Sequence, residues 1–431
     1  MRNTLQDWLG HIERQHPQAI EMGLERVREV AARLALGRPA THVVTVGGTN
    51  GKGSTVAFLE SIAREAGLRV GAYTSPHLLA YGERVRIDGV EAGEAALAEA
   101  FAAVDAARGA TPLTYFEFGT LAALWLFARA GLDLAILEVG LGGRLDATNL
   151  VDADVAVITT VDLDHQDWLG DDREAIGAEK AGIARAWKPL VLGDDDPPAS
   201  VLRHAYAIGA SALRIGCDFF FEPVDATRWR WREVGCALDL PMPALAAPVQ
   251  LRNAAVAIAA LRALEIDLPA TAIAGGVAAA RLAGRLQPFD RGGVAVFVDV
   301  GHNPQAAREL AAWLRATPIK GRTHAVYAAL ADKDAAAVVA AFDGLVDAWW
   351  LGGSLGAGVR GLQVDLLAQR LAGCAACVAG TRSDPAAALS AALQAAAPGD
   401  RVLVFGSFHA AEEASRMLRG PGSEAGAPRG V

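Results

Sequence analysis

The densest chemistry in the chain is the run Gly47-Gly48-Thr49-Asn50-Gly51-Lys52-Gly53-Ser54. Glycines let successive backbone N–H groups turn inward on phosphate oxygens, and a helix N-terminus behind them adds partial positive charge. Lys52 can reach terminal phosphates, while Ser54 can cap the helix or approach Mg²⁺. The competing reading is a strand-to-helix turn that binds nothing, and a lysine inside the loop argues against it. The spacing departs from the usual phosphate loop, because Gly53 separates Lys52 from Ser54.

A phosphate loop by itself names only a nucleotide. Acid ligands and a second substrate must come from elsewhere. Glu138 ends one apolar run, and Asp162, Asp164 and His165 end the next. If both runs are strands of an open α/β sheet, these residues lie at its carboxyl edge, where ligands bind. A carboxylate, an imidazole and a hydroxyl suit Mg²⁺, although magnesium prefers oxygen. Taken alone, His165 reads as a hydrogen-bonded histidine at a strand end. Gly140-Leu141-Gly142-Gly143 misplaces the third glycine of a dinucleotide fingerprint. Cys374 and Cys377 form a lone CxxC with no second pair at zinc spacing, so they read as packing.

The elements that must position these groups follow from periodicity. Leu5, Trp8, Leu9 and Ile12 share one face of an opening helix, and a second helix is expected over 24–36. HVVTV (42–46) reads as a buried strand, and the phosphate loop then opens a helix over 54–66, closed by Gly67. RVGAYTS, LDLAILEV (132–139) and DVAVITTV (154–161) are further strands. Strands alternating with helices imply α/β: a mostly parallel, doubly wound sheet of the P-loop ATPase kind. RWRWREV, within 219–240, alternates aromatic with cation and reads as an exposed two-faced strand; a nucleic-acid surface is the weaker alternative. After a polar break at 285–293, VAVFVDV, THAVYAAL, VDAWWLG and RVLVFGS predict a smaller second α/β domain of Rossmann-like order. The expected domains are 1–287 and 288–419, with a disordered, Gly- and Pro-rich tail at 420–431.

The bulk properties agree. At 431 residues the chain is too long for one ordinary domain, and 52% hydrophobic residues can fill two cores. A net charge of −9 does not invite a phosphate backbone, so nucleic acid is not expected as a partner. Anionic small molecules would need local positive charge or metal ions. Four cysteines do not make a disulfide framework. The first residues lack the apolar core of a signal peptide. The most apolar stretch, 121–139, is broken by Arg129 and Asp133, so no membrane span is expected. These features predict a cytoplasmic protein, expected to be a monomer.

The motifs together resemble the folylpolyglutamate synthase family, relatives of the Mur ligases of cell-wall synthesis. The resemblance spans residues 5–418: LQDWLGHIE and GLERV, GGTNGKGS, YTSPHL (73–78), ERVRI (83–87), TYFEFGT (114–120), LEVGLGGRLDATN (137–149), LDH (163–165) and EKAGI (179–183), in the family's order. Gly53 belongs to that family's version of the loop. The resemblance implies an ATP-dependent ligase that joins L-glutamate to dihydropteroate and to folates. Thr49, Asn50, Gly51, Lys52, Gly53 and Ser54 would hold ATP phosphates, with Asn253, Arg285, Asp299 and His302 as further ATP contacts. Ser75, Glu138 and His165 would hold one or two Mg²⁺. Lys180 matches a lysine that the family carbamylates, so Lys52, Lys180 and His165 are the expected catalytic groups. Gly23, Leu24, Glu25 and Arg26, with Thr114, Tyr115, Phe116, Glu117, Leu145, Asp146 and Ala147, would line the pterin site. Arg84 and Ser407 are candidates for the incoming glutamate. His302 lies in VDVGHNP, where many members read Asp-Gly-Ala-His-Asn; the charged groups are kept.

The implied chemistry suits these residues. A carboxylate is a poor electrophile, so ATP first converts it to an acyl-phosphate, whose developing charge Mg²⁺, Lys52 and backbone N–H groups stabilise. The glutamate amine then displaces phosphate, and the second domain is expected to close over the site and exclude water. A free Lys180 ammonium would repel a metal, whereas a carbamate there would bring negative charge and oxygen acceptors; the bland alternative is a surface ion pair with Glu179. Two other functions compete. A Mur-type cell-wall ligase would need a UDP-binding domain ahead of a phosphate loop that here begins at Gly47. A nucleotide switch acting on a protein would leave TYFEFGT and LDATN unexplained.

Overall fold

The computed structural model describes residues 4–420 apart from 17 and 19. The tail expected at 420–431 lies outside them but for Gly420. The chain forms two compact units, the described residues of Met1–Ala244 with Gln250–Arg281, and those of Leu245–Val249 with Leu282–Val431.

Unit 1 is built on β1 (Ala40–Gly47), β2 (Val70–Tyr73), β3 (Val85–Ile87), β4 (Val90–Glu91), β5 (Leu132–Glu138), β6 (Val155–Ile158), β7 (Pro189–Leu192) and β8 (Ser211–Arg214). They form one sheet in the order β4-β3-β2-β5-β1-β6-β7-β8. It is parallel from β2 to β8, with β3 and β4 added antiparallel at one edge. Val43, Val44, Val46 and Ile136 are wholly buried, as a parallel sheet covered on both faces requires. The helices that matter for the site are α1 (Leu5–Ile12), α2 (Glu25–Arg33), α3 (Lys52–Glu65), α4 (Glu94–Arg108), α5 (Tyr115–Ala130), α6 (Gln166–Leu169) and α7 (Arg173–Ala181). Trp8 and Ile12 of α1 pack with Phe101 of α4 and Phe118 of α5 in one core.

A three-stranded antiparallel sheet follows: β9 (Phe219–Pro223), β10 (Arg228–Glu233) and β11 (Cys236–Pro241). Its alternation has the expected period of two. Trp229 and Trp231 face inward, wholly buried, and their indoles donate to the carbonyls of Pro241 and Ala255. Outward, Arg228 pairs with Asp225, Arg230 with Asp239, and the Arg232 guanidinium lies 4.3 Å over the Phe220 ring. Two of the three outward cations, Arg228 and Arg230, are thus matched by carboxylates in or beside the sheet.

Unit 2 is a six-stranded sheet, β12 (Gln287–Arg291), β13 (Val294–Val298), β14 (Thr323–Tyr327), β15 (Ala348–Gly352), β16 (Val378–Arg382) and β17 (Arg401–Phe405), in the order β12-β13-β17-β14-β15-β16. Only β12 runs antiparallel to its neighbour. Tyr327, Phe342, Trp349 and Phe405 pack ring against ring in its core. Cys374 packs against this core and Cys377 is exposed; both thiols are free. Among the described residues, no helix is long and apolar enough to cross a membrane.

Candidate active site

The phosphate loop links β1 to α3, at the carboxyl edge of the unit 1 sheet. Helix α3 begins at Lys52, two residues ahead of the expected start, and its N-cap is Gly51, with no side-chain cap. Ser54 is therefore not the cap; it sits buried inside the first turn. The left-handed conformation of Gly51 (φ 88°) decides this, because glycine reaches it without steric cost. Gly48 is equally constrained: an added Cβ would lie 1.9 Å from Thr159 Oγ1. The loop is tied to the end of β6. Thr49 N–H donates to the Thr160 carbonyl (2.7 Å), and Thr159 Oγ1 donates to the Asn50 carbonyl (2.6 Å). Lys52 Nζ donates to the carbonyls of Gly48 (3.0 Å) and Thr49 (3.2 Å), and Gly53 follows it in the first turn of α3. Asn253 leans over the loop, its Oδ1 2.6 Å from where a Gly51 Cβ would stand, and its amide donates to Gln250.

Glu138 ends β5, in register with Val46 of β1, one residue before the loop. It is buried, and its carboxylate accepts from Ser75 N–H (3.2 Å). The sequence-predicted pair Glu138 and Ser75 is thus brought together. His165, with φ 53°, turns the chain into α6, and its backbone N–H donates to the Asp164 carboxylate (2.9 Å). Among the described residues, no three His, Cys, Asp or Glu side chains converge. Magnesium does not need such a cage, because it keeps waters and binds through one or two carboxylates plus substrate phosphates. Glu138 and Ser75 beside a phosphate loop fit a cation that arrives with a nucleotide.

Lys180, near the end of α7, is only 4% exposed. Burial, reinforced by the nearby Lys52 charge, pushes its ammonium down to about 7, against the pull of Asp164 and Asp146. The surface ion pair with Glu179 does not form. Glu179 instead holds Arg144 (2.8 Å) on the outer side of the helix.

The residues expected around the pterin fall at the N-terminus of α5, at the start of α2 and in the segment after β5. Thr114 caps α5 in a capping box with Glu117. Glu117 also accepts from Arg26 (2.8 Å), which anchors the segment ahead of α2. Leu24 is the N-cap of α2 and Glu25 its first residue; Gly23 precedes them with φ 154°. Phe116 packs on Tyr73 and against the bare face of Gly140. Asp146 is buried between half-buried Leu145 and buried Ala147. It accepts from the N–H groups of Gly140, Leu141 and Thr148. Burial nevertheless holds its carboxyl above the ordinary value.

Sequence reasoning named Arg84 but passed over the two side chains beside it, His77 and Tyr81. Arg84, only 9% exposed, donates from Nε to His77 Nδ1 (2.7 Å) and lies 5.4 and 5.5 Å from the ring centres of Tyr81 and Tyr115. His77 and Tyr81 sit within or beside the motifs YTSPHL and ERVRI. Only their motif membership marked them, because an apolar-looking histidine or tyrosine carries no spacing signal.

In unit 2, Asp299 directly follows β13 and accepts from the N–H groups of Leu286 (2.8 Å) and Gly301 (2.7 Å). Burial raises its carboxyl, with Arg285 and His302 pulling the other way. Arg285, Asp299 and His302 thus form one cluster, and the Arg285 guanidinium lies 5.7 Å over the Phe408 ring. Ser407 caps the helix Phe408–Arg419; its hydroxyl donates to the Ala328 carbonyl (2.9 Å) and accepts from Ala410 N–H.

Against known proteins, the chain matches the Mur ligase middle domain over residues 46–261 and the Mur ligase glutamate ligase domain over 284–408. It is 46% identical over 409 residues to the dihydrofolate synthase/folylpolyglutamate synthase of Escherichia coli K12, covering 94% of each chain. Among solved structures, E. coli FolC in complex with DHPP and ADP superposes with a TM-score of 0.90 at 46% identity, covering 96% of this chain and 97% of that one. A bifunctional folylpolyglutamate synthase/dihydrofolate synthase with Mn, AMPPNP and L-glutamate bound has a TM-score of 0.88 at 46% identity, with the same coverage.

Proposed function

Because the chain belongs to the dihydrofolate synthase/folylpolyglutamate synthase family of Mur ligases, we propose roles for its residues in one ligase reaction run on two acids. The enzyme is an ATP-dependent ligase that joins L-glutamate to dihydropteroate and to the γ-carboxyl of folates through an acyl-phosphate. It uses ATP and a divalent cation, for which Mg²⁺ is our reading. The observation that carries the site is the adjacency of the phosphate loop, the Glu138–Ser75 pair and the buried Lys180 at one sheet edge.

In unit 1, the loop from Thr49 to Ser54 holds the ATP phosphates, with Asn253 over it. Lys52 leaves its loop carbonyls for the terminal phosphate and offsets the charge that develops during transfer. Glu138, Ser75 and His165 hold Mg²⁺, which when bound neutralises phosphate charge and aligns the transferred group. Lys180 is neutral in an unusually large fraction at pH 7, and a neutral amine is what CO₂ needs. The Nζ–C bond forms, the amine proton leaves to solvent, and the carbamate puts a negative group where an ammonium would repel the metal. Thr114, Tyr115, Phe116, Leu145, Asp146 and Ala147 line the pterin site; Gly23–Arg26 is held against it through Arg26 and Glu117. In unit 2, Arg285, Asp299 and His302 contact ATP, and Ser407 is the candidate for glutamate. We read unit 1 as the ATP- and pterin-binding domain and unit 2 as the glutamate-ligase domain of a cytoplasmic monomer acting on small molecules.

The test is incorporation of labelled glutamate by the purified chain with ATP and Mg²⁺, with dihydropteroate and tetrahydrofolate supplied separately. Product is expected from both. Extension of tetrahydrofolate alone would remove the synthase half of the reading.

A further inference from the structure

Among the described residues, the buried guanidinium of Arg84 has no ion-pair partner. Among the described residues, its one hydrogen bond is from Nε to His77 Nδ1, and no carboxylate lies within ion-pair distance. The two rings packed beside it, 6.0 Å apart in an edge-to-face pair, do not supply charge, because burial holds the Tyr81 and Tyr115 hydroxyls in their neutral form. An uncompensated buried charge is costly, so a protein that keeps one is built to receive an anion. An arginine fixed at Nε presents its two terminal nitrogens as a planar fork, the geometry that takes a carboxylate through two parallel bonds.

Resting on the ligase reading above, we propose that Arg84 receives the non-reacting α-carboxylate of the terminal glutamyl residue of a folate, and that His77 is the positioning residue that aims it. Arg84 shares its wall with the donor acid rather than with the incoming amine. Tyr115 adjoins the α5 N-cap Thr114, and the Arg84 carbonyl accepts from Thr74 N–H, one residue before Ser75. The donor's reacting carboxylate must point at the ATP phosphates on the Lys52 loop, so Arg84 meets a second one. Dihydropteroate has a single carboxylate; a folate ending in glutamate has two. Arg84 therefore serves chain extension and is idle in the first addition. His77 accepts the Nε–H at Nδ1, which fixes the orientation of the guanidinium beside the Tyr81 and Tyr115 rings.

The test compares Arg84→Gln, His77→Leu and His77→Asn with the native enzyme, using dihydropteroate and tetrahydrofolate as donors and varying glutamate in each. Loss of a bidentate charge-assisted contact is expected to raise KM for tetrahydrofolate about 10- to 100-fold in Arg84→Gln. KM for dihydropteroate and for glutamate should stay within about twofold, since neither meets Arg84. His77→Leu should follow Arg84→Gln, and His77→Asn, which keeps an acceptor near Nδ1, should restore most of the affinity. The melting temperature without ligand separates this from a structural role, because removing an unpaired buried charge should not lower it. A KM increase for glutamate with both donors would assign Arg84 to the incoming amino acid and overturn the proposal. Equal losses with both acids, or a collapsed melting temperature, would overturn it too. A native enzyme inactive on both acids would instead sink the ligase reading itself.

Discussion

Lys180 is the residue whose surroundings say most about its chemistry. An exposed lysine stays charged well above neutrality. Burial and the nearby Lys52 bring this one to about 7. The sign follows from linkage. The folded state holds fewer protons than the unfolded chain from about pH 7 up to the ordinary lysine range, so burying Lys180 costs most stability on the acid side, and stability rises as pH climbs through that window. The neutral fraction, and carbamate formation with it, rises over the same range. Lys180→Ala is expected to lose about 10- to 100-fold in kcat, with partial return on adding acetate, a small acid that can occupy the vacated space. Unchanged turnover in the variant, or no response of the native enzyme to bicarbonate depletion, would remove the carbamate from the mechanism. Lys180 was legible as a motif position. Its burial beside Lys52 was not, because the two lie far apart in sequence and meet only through the packing of α7 at the sheet edge.

At the scale of elements, β10 shows how a suggestive pattern resolves. Arginine alternating with tryptophan reads from sequence as two faces, and both exist. What the pattern lacks is the identity of the partners: Asp225 and Asp239 match two of the outward cations, while Ala255, in the helix Val249–Arg262, receives the Trp231 indole. Trp231 is wholly buried and stacked on Phe219. Trp231→Ala should cost about 3–5 kcal/mol of stability, read as a lower denaturant midpoint. Because β10 carries none of the proposed site residues, ligase activity at low temperature should persist in the folded fraction. A variant of native stability would contradict the packing of this sheet. The shift of the α3 start from Ser54 to Lys52 belongs to this scale as well. Helix ends follow backbone dihedrals, and the left-handed Gly51 is not marked off from its neighbouring glycines by sequence alone.

For the whole molecule, the expected behaviour is coupling of nucleotide binding to stability. A ligand that binds only the folded state adds RT ln(1 + [L]/Kd), about 2.7 kcal/mol at a hundredfold excess over Kd. AMPPNP with Mg²⁺ should therefore raise the melting temperature by several degrees, and EDTA should reverse most of the gain. Lys52→Met should abolish the shift while lowering ligand-free stability by about 2 kcal/mol, since the ammonium's bonds to Gly48 and Thr49 are worth about 1 kcal/mol each. A native shift in the variant would show that the loop is not where the nucleotide binds.

The sequence by itself determined the α/β alternation, the two-sheet plan, the phosphate loop and the order of motifs, because each rests on local periodicity or on residues adjacent in the chain. It also placed Glu138 at a strand end, which is a statement about one strand. Only the tertiary structure decided that Glu138 receives the Ser75 N–H, that Arg285 gathers with Asp299 and His302, and that Arg84 sits beside two tyrosines and donates to His77. The reason is physical. Burial and electrostatic environment are set by groups brought together from distant segments, and the free energy of a charge depends on that environment far more than on its neighbours in sequence.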